Sequence, residues 1–233
     1  MKIQYCVALA VLSAIPFIHG LAQEPANTYE PVNFPADQSS ITDRIAFPKY
    51  AGDILVRVFC DVGVTSSGDF ENSVCWSGHE EKVAFTQADE KNIDITQLSP
   101  ARVDGSEVDV YFQYTVQFEK RGDVETIKLF PHQFVGVDGP GDDYIGPQRY
   151  RNSMATGTFL GRCDGSYLIW YGMIIPAEGG KPVDVRALNE SRNVNCVRHT
   201  RQLAEGGIYI PAFLRGVPIT APYREAWADR AWR

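Results

Sequence analysis

The chain has 233 residues, enough for one ordinary domain or two small ones. Hydrophobic residues make up 44% and charged residues 22%, which excludes wholesale disorder. A net charge of -7 without any Lys/Arg cluster excludes the basic face that a nucleic-acid partner requires.

Residues 1–22 read as a signal peptide. Lys2 is the only charge, an apolar run follows from Val7 to Ile18, and Gly20-Leu21-Ala22 is a small-x-small pattern of the kind signal peptidase cuts. Pro16 interrupts the run, which is shorter than the ~20 residues of a comfortable membrane span, so cleavage near Ala22 is expected rather than retention as an anchor. The mature chain then carries a charge of -8 and four cysteines: Cys60, Cys75, Cys163 and Cys196. An even count in an oxidising compartment points to two disulfides. No Cys-x-x-Cys or Cys-x-x-His spacing occurs, so neither a metal site nor a cofactor is expected.

Residues 23–43 are polar, with Pro25, Pro31 and Pro35 spaced along them, and read as a flexible tether. From Ile54, "ILVRVFCDVGV" and "FENSVCW" are strand-like runs around a Ser/Gly-rich break, the pattern of a β-hairpin. If Ser67 and Gly68 are the central turn residues, Cys60 and Cys75 are equidistant from the turn. They would face one another at ~4.5–5.5 Å between Cβ atoms, close enough for a bridge. "HEEKVAFTQADEKNIDITQL" contains a helix that ends before Pro100. "EVDVYFQYTVQF" then alternates strictly. Val108, Val110, Phe112, Tyr114, Val116 and Phe118 share one face; Asp109, Tyr111, Gln113 and Thr115 lie on the other. That is a strand.

Between residues 122 and 159 the sequence reads as a linker, with Gly139, Pro140, Gly141 and Pro147 along it. Its Asp138, Asp142 and Asp143 lack the spacing and distal Glu of an EF-hand calcium loop. The second half repeats the order of the first. "YLIWYGMII" and "VDVRALNES" flank a turn at Gly179-Gly180, and Cys163 and Cys196 are equidistant from it. "NCVRHTRQLAEGG" reads as a helix with Asn195 as N-cap and Gly206 near its C-cap. "IYIPAFLRGVPITAPYREAW" closes the chain. Pro100, Ala101 and Gly105 in "SPARVDG" are matched by Pro211, Ala212 and Gly216, a Pro-Ala-x-x-x-Gly phrase used twice. From Gly68 to Pro100 is 32 residues and from Gly180 to Pro211 is 31, which suggests an internal duplication.

The unit strand, turn, strand, helix, Pro-Ala-x-x-x-Gly, strand resembles the periplasmic C-terminal domain of TonB-family energy transducers. Phe47-Pro48 stands where a Tyr-Pro pair commonly opens that domain. The resemblance implies an α+β protein of two tandem modules, residues 44–121 and 160–233, each an antiparallel sheet of about three strands packed with one helix. It also implies a periplasmic or secreted binder of a protein or extended peptide, such as a segment of an outer-membrane receptor, captured by strand pairing. A short tether and a cleavable leader depart from the family's anchored stalk, so binding is expected rather than energy transduction. The proline-free strand Glu107–Phe118 is the expected docking strand, presenting Asp109, Tyr111, Gln113 and Thr115, while Pro218 and Pro222 blunt the other closing strand. Pairing of that edge with the second module or with a twin chain in a homodimer is the competing expectation.

Catalysis has no motif behind it. His79, His132 and His199 stand outside any mechanistic pattern, and Cys163, Asp164 and Ser166 in "RCDGSY" read as a turn. A secreted hydrolase-like enzyme with a site assembled from distant residues, or a structural envelope protein, remain the alternatives to a binder.

Overall fold

The computed structural model describes residues 27–37, 39–77, 84–86, 88, 98–133, 141, 143–151, 168–189 and 193–228. The signal peptide expected over 1–22, Cys163 and the Asp138 and Asp142 positions lie outside them. β1 (Tyr29–Glu30) and the single turn α1 (Ser39–Thr42) precede β2 (Ile54–Val64) and β3 (Phe70–Ser77). β4 (Ala101–Val103), β5 (Ser106–Val108), β6 (Val110–Arg121) and β7 (Val124–Phe130) follow, then β8 (Tyr144–Ile145) and β9 (Gln148–Tyr150). The last part holds β10 (Leu168–Ile175), β11 (Val183–Ala187), α2 (Val194–Gly206), β12 (Tyr209–Ile210), β13 (Ala212–Leu214), β14 (Val217–Ile219) and β15 (Ala221–Ala228).

These strands form four sheets, and the largest has six strands in the order β3-β2-β6-β9-β12, with β7 also paired to β6. This overturns the expectation of an α+β chain of two small helix-on-sheet modules: the protein is mostly β. The physical reason is β9. It pairs with β6 of the first half through Val110↔Tyr150 and Tyr111↔Arg149, and with β12 of the second half through Arg149↔Tyr209 and Gln148↔Ile210. One sheet therefore runs through both halves. The segment 122–159, expected as a linker, supplies β7, β8 and β9 to these sheets.

The run expected as one strand from Glu107 to Phe118 is split: Glu107 and Val108 fall in β5, Asp109 lies between, and β6 starts at Val110. Along β6 the apolar positions share one face as expected, although Gln113 and Thr115 on the other face are buried as well. Val110, Phe112, Tyr114, Val116 and Phe118 are all fully buried, as are Val58, Cys60, Val62 and Val64 of β2 behind them. Each such side chain contributes about 1.5–3 kcal/mol on burial. The core is closed from outside the sheet. Phe34 meets Phe112 and Tyr114 edge-on at 5.4 and 5.7 Å, and Phe85, in a helical stretch at 84–86, meets Phe118 at 5.1 Å. Val32, Phe34 and Ile41, in the stretch 23–43 expected as a tether, are buried in this core, and Gln148 clamps Val32. Val32 N donates to Gln148 Oε1 and Gln148 Nε2 donates back to Val32 O, at 2.8 and 2.7 Å.

Cys60 and Cys75 are directly opposed and disulfide-bonded. The loop between them spans Thr65 to Asp69, and a bulge between Asp61 and Gly63 restores the register that opposes the cysteines. In the second hairpin Tyr171 faces Ala187 and Gly172 faces Arg186, one residue away from a turn centred on Gly179-Gly180. Cys196 is disulfide-bonded too, and lies on the buried face of α2 with Thr200 and Ala204. The N-cap of α2 is Asn193 and not Asn195: its side chain accepts from Cys196 N at 3.0 Å.

The repeated Pro-Ala-x-x-x-Gly phrase makes one local structure twice. Asp104 and Gly105 turn β4 into β5 with φ of 52° and 75°; Arg215 and Gly216 turn β13 into β14 with φ of 53° and 75°. Two successive positive φ values define the type I′ hairpin. Each hairpin carries a third, two-residue strand: β1 on β4 and β8 on β13. Asp104 N donates to Thr28 O and Arg215 N to Asp143 O, at 2.8 and 3.0 Å. Likewise Leu98 N donates to Gly68 O and Tyr209 N to Gly180 O.

Candidate functional site

The polar face of β6 is covered by a second layer, the three-stranded sheet β11-β10-β15. Ile169, Tyr171, Met173 and Ile175 of β10 pack on the α2 side in a separate hydrophobic core. Trp170, on the alternate face, points the other way and meets Trp76 of β3 at 5.7 Å, edge to face. Between the layers lies a cavity of roughly 520 Å³. Phe59, Trp76 and Trp170 form one wall; His132 and Tyr144, with ring centroids 5.0 Å apart, contribute another. Gln113, Gln133 and Asn189 add amides, and Tyr223 and Arg224 of β15 complete the lining.

A buried polar cluster sits beside the cavity. Arg149 of β9 is ion-paired with Glu225 of β15, both almost completely buried. Tyr209 donates to the second Glu225 oxygen at 3.0 Å, and the Arg149 guanidinium lies 4.6 Å from the centre of the Trp227 ring and donates to Leu203 O. Burial opposes the Arg149 charge, yet Glu225 and the neighbouring tyrosines keep its pKa above the ordinary value. Asp61 of β2 is also buried. Gln113 Nε2 donates to Asp61 Oδ2 at 3.2 Å and to Arg224 O at 2.9 Å, pinning β15 onto β6. Burial, with Glu225 adding to it against the Gln113 hydrogen bond, pushes the Asp61 carboxyl up to about 7. Asp61 Oδ1 and the Tyr223 hydroxyl are buried without a hydrogen-bond partner among the described residues. Burial and then Asp61 and Glu225 raise the Tyr223 pKa well above its usual range.

Of the four residues expected to present a docking edge, Tyr111, Gln113 and Thr115 are on one face of β6 and Asp109 lies just before it, but that strand is not an edge. β2 pairs with it along its whole length, and β7 and β9 occupy most of the other side. Asp109 Oδ1 accepts from Ser66 N at 2.7 Å, Tyr111 lies under the Arg151 guanidinium, and Thr115 Oγ1 donates to His132 O at 2.7 Å. Only Gln113 reaches the cavity. Pro100, Ala101, Gly105, Pro211, Ala212 and Gly216 belong to the two hairpins. Cys60 and Cys75 are the bridge of the first half.

Asp61, Arg149 and Glu225 carry no motif in the sequence. Their signal was positional: Asp61 in "VFCDVGV" interrupts an apolar run, and Glu225 falls in step with Tyr223 and Trp227. Among the described residues, no group of His, Cys, Asp and Glu is arranged to hold a metal ion, and no helix is long and apolar enough to cross a membrane. No protein-family model matches the chain, and no curated protein or solved structure matches it.

Proposed function

We propose that this is an exported binding protein that captures an extended peptide in the cavity between its two layers. The observation that carries the reading is the lining. Two tryptophans, Phe59 and Tyr144 provide apolar area at low conformational cost, and three amides supply orientation. The volume falls within the ~300–1,000 Å³ typical of ligand sites. None of the described lining residues is Ser, Thr, Cys, Lys, Asp or Glu, which favours capture over covalent chemistry. The Cys60–Cys75 bridge supports export, since such bonds persist in oxidising compartments. Capture by strand addition to β6 does not form part of the proposal, because β2 lines one side of that strand and β7 and β9 leave only Phe112 to Tyr114 without a strand partner on the other among the described residues.

Selection from a random peptide-display library against the disulfide-intact protein tests the reading. Peptides enriched on the parent and lost on Trp76→Ala support it. Absence of enrichment, or peptides that bind the folded variant equally, overturns it.

A hydrolase-like enzyme is favoured by one observation: His132 stands on the cavity wall, while Asp61, held near 7, lies behind Gln113. Turnover of peptide or ester substrates that disappears in His132→Gln would establish that reading.

A further inference from the structure

We infer that the cavity recognises the C-terminal end of a peptide whose last residue is aromatic, the ring seated against Trp170 and Trp76 and the α-carboxylate paired with Arg224. The inference rests on the peptide-binding reading and adds the class of segment recognised. Arg224 is the one permanently charged side chain among the described lining residues. It is exposed at the cavity, and its guanidinium makes no ion pair or hydrogen bond with any described residue. Its backbone is fixed, since Arg224 O accepts from Gln113. A guanidinium held on a rigid strand beside uncharged walls is a carboxylate receptor, because its fork of donors matches two carboxylate oxygens.

Register supplies the second half of the argument. Trp170 faces Ala226 and Gly172 faces Arg224, so Trp170 and Arg224 are diagonal neighbours on the same face, about 7–8 Å apart at the backbone. One residue that bears both a ring and a carboxylate bridges that separation. An aromatic C-terminal residue bears both; an internal residue bears one or the other. Gln113 and Gln133 spend their Nε2 donors on Asp61, Arg224 O and Cys60 O, which leaves their Oε1 acceptors for peptide N–H groups.

The test titrates the full mature protein with an N-acetylated tripeptide ending in phenylalanine, as free acid and as C-terminal amide. Quenching of tryptophan fluorescence and calorimetry report binding. The free acid is expected to bind at least about tenfold more tightly than the amide, the order of one charge-assisted pair. Arg224→Gln should erase that preference, whereas Arg102→Gln, on β4 and outside the lining, should keep it. Equal binding of acid and amide overturns the carboxylate assignment and leaves the peptide reading standing. Free phenylalanine binding as tightly as the tripeptide overturns the peptide end in favour of a small acid. If neither tripeptide binds although display selection yields Trp76-dependent peptides, the C-terminal assignment alone fails. If selection also yields none, both readings fail.

Discussion

Trp76 and Trp170 meet edge to face with centroids 5.7 Å apart, although one belongs to β3 of the six-stranded sheet and the other to β10 of the covering layer. This contact ties the two layers together at the cavity wall. A double-mutant cycle with Trp76→Ala and Trp170→Ala should give a coupling of about 0.5–1.5 kcal/mol in urea unfolding. Each single variant should also lose about 3–5 kcal/mol at most, less where the half-open site stays wet. Strict additivity would show that the layers do not depend on this pair.

The Arg149–Glu225 pair should be asymmetric in its response to mutation. Arg149→Met strands a buried carboxylate and is expected to cost about 3–5 kcal/mol. The double variant Arg149→Met/Glu225→Met removes both charges and should recover much of that loss. Chemical denaturation of the three proteins checks the order. A double variant as unstable as the single one would mean that Tyr209, which bonds Glu225, dominates the cluster.

Asp61 gives the protein a pH dependence whose sign is set by burial. In the folded chain the carboxyl holds its proton up to about 7, whereas an unfolded aspartate releases it near 4. Stability contributed through this group is therefore lost as pH rises from about 4 to about 7. The groups acting on it are Gln113 of β6, Glu225 and Tyr223 of β15, Arg149 of β9 and the backbone of Val62. Asp61→Asn should flatten the urea midpoint between pH 5 and 8 and raise stability at pH 8 by on the order of 2 kcal/mol. A parent and variant with parallel pH profiles would remove Asp61 from the account.

The two hairpins predict matched responses. Gly105→Ala and Gly216→Ala each place a Cβ on a residue at φ of 75°, and each should cost about 1–2 kcal/mol. Arg215 already occupies φ of 53° with a long side chain, so Arg215→Asn should stabilise by a few tenths of a kcal/mol. Thermal unfolding reads all three. A Gly216→Ala variant with unchanged midpoint would mean that the second turn relaxes to another type.

Some of this structure was legible in the residues alone. The period-two run from Val110 to Phe118 set the buried face of β6, because alternation is a property of the strand itself, although the chain breaks the run at Asp109. The opposition of Cys60 and Cys75 was expected by counting outward from a turn at Ser67-Gly68; the loop is instead Thr65 to Asp69, and the one-residue bulge between Asp61 and Gly63 is what brings the two cysteines opposite each other. The doubled Pro-Ala-x-x-x-Gly phrase reads in the sequence as a turn into a closing strand; the structure makes it instead a β-hairpin, twice, with positive φ at its Gly. What the chain could not disclose was which strand sits beside which. Three residues, Gln148 to Tyr150, join the halves into one sheet, and so short a strand has no period to detect. With β7 and β9 on most of the second side of β6, its outward face became the bed for β15 rather than a docking edge. Arg149 and Glu225 then met across 76 residues of chain, because only tertiary packing offers a buried charge the partner that makes its burial tolerable.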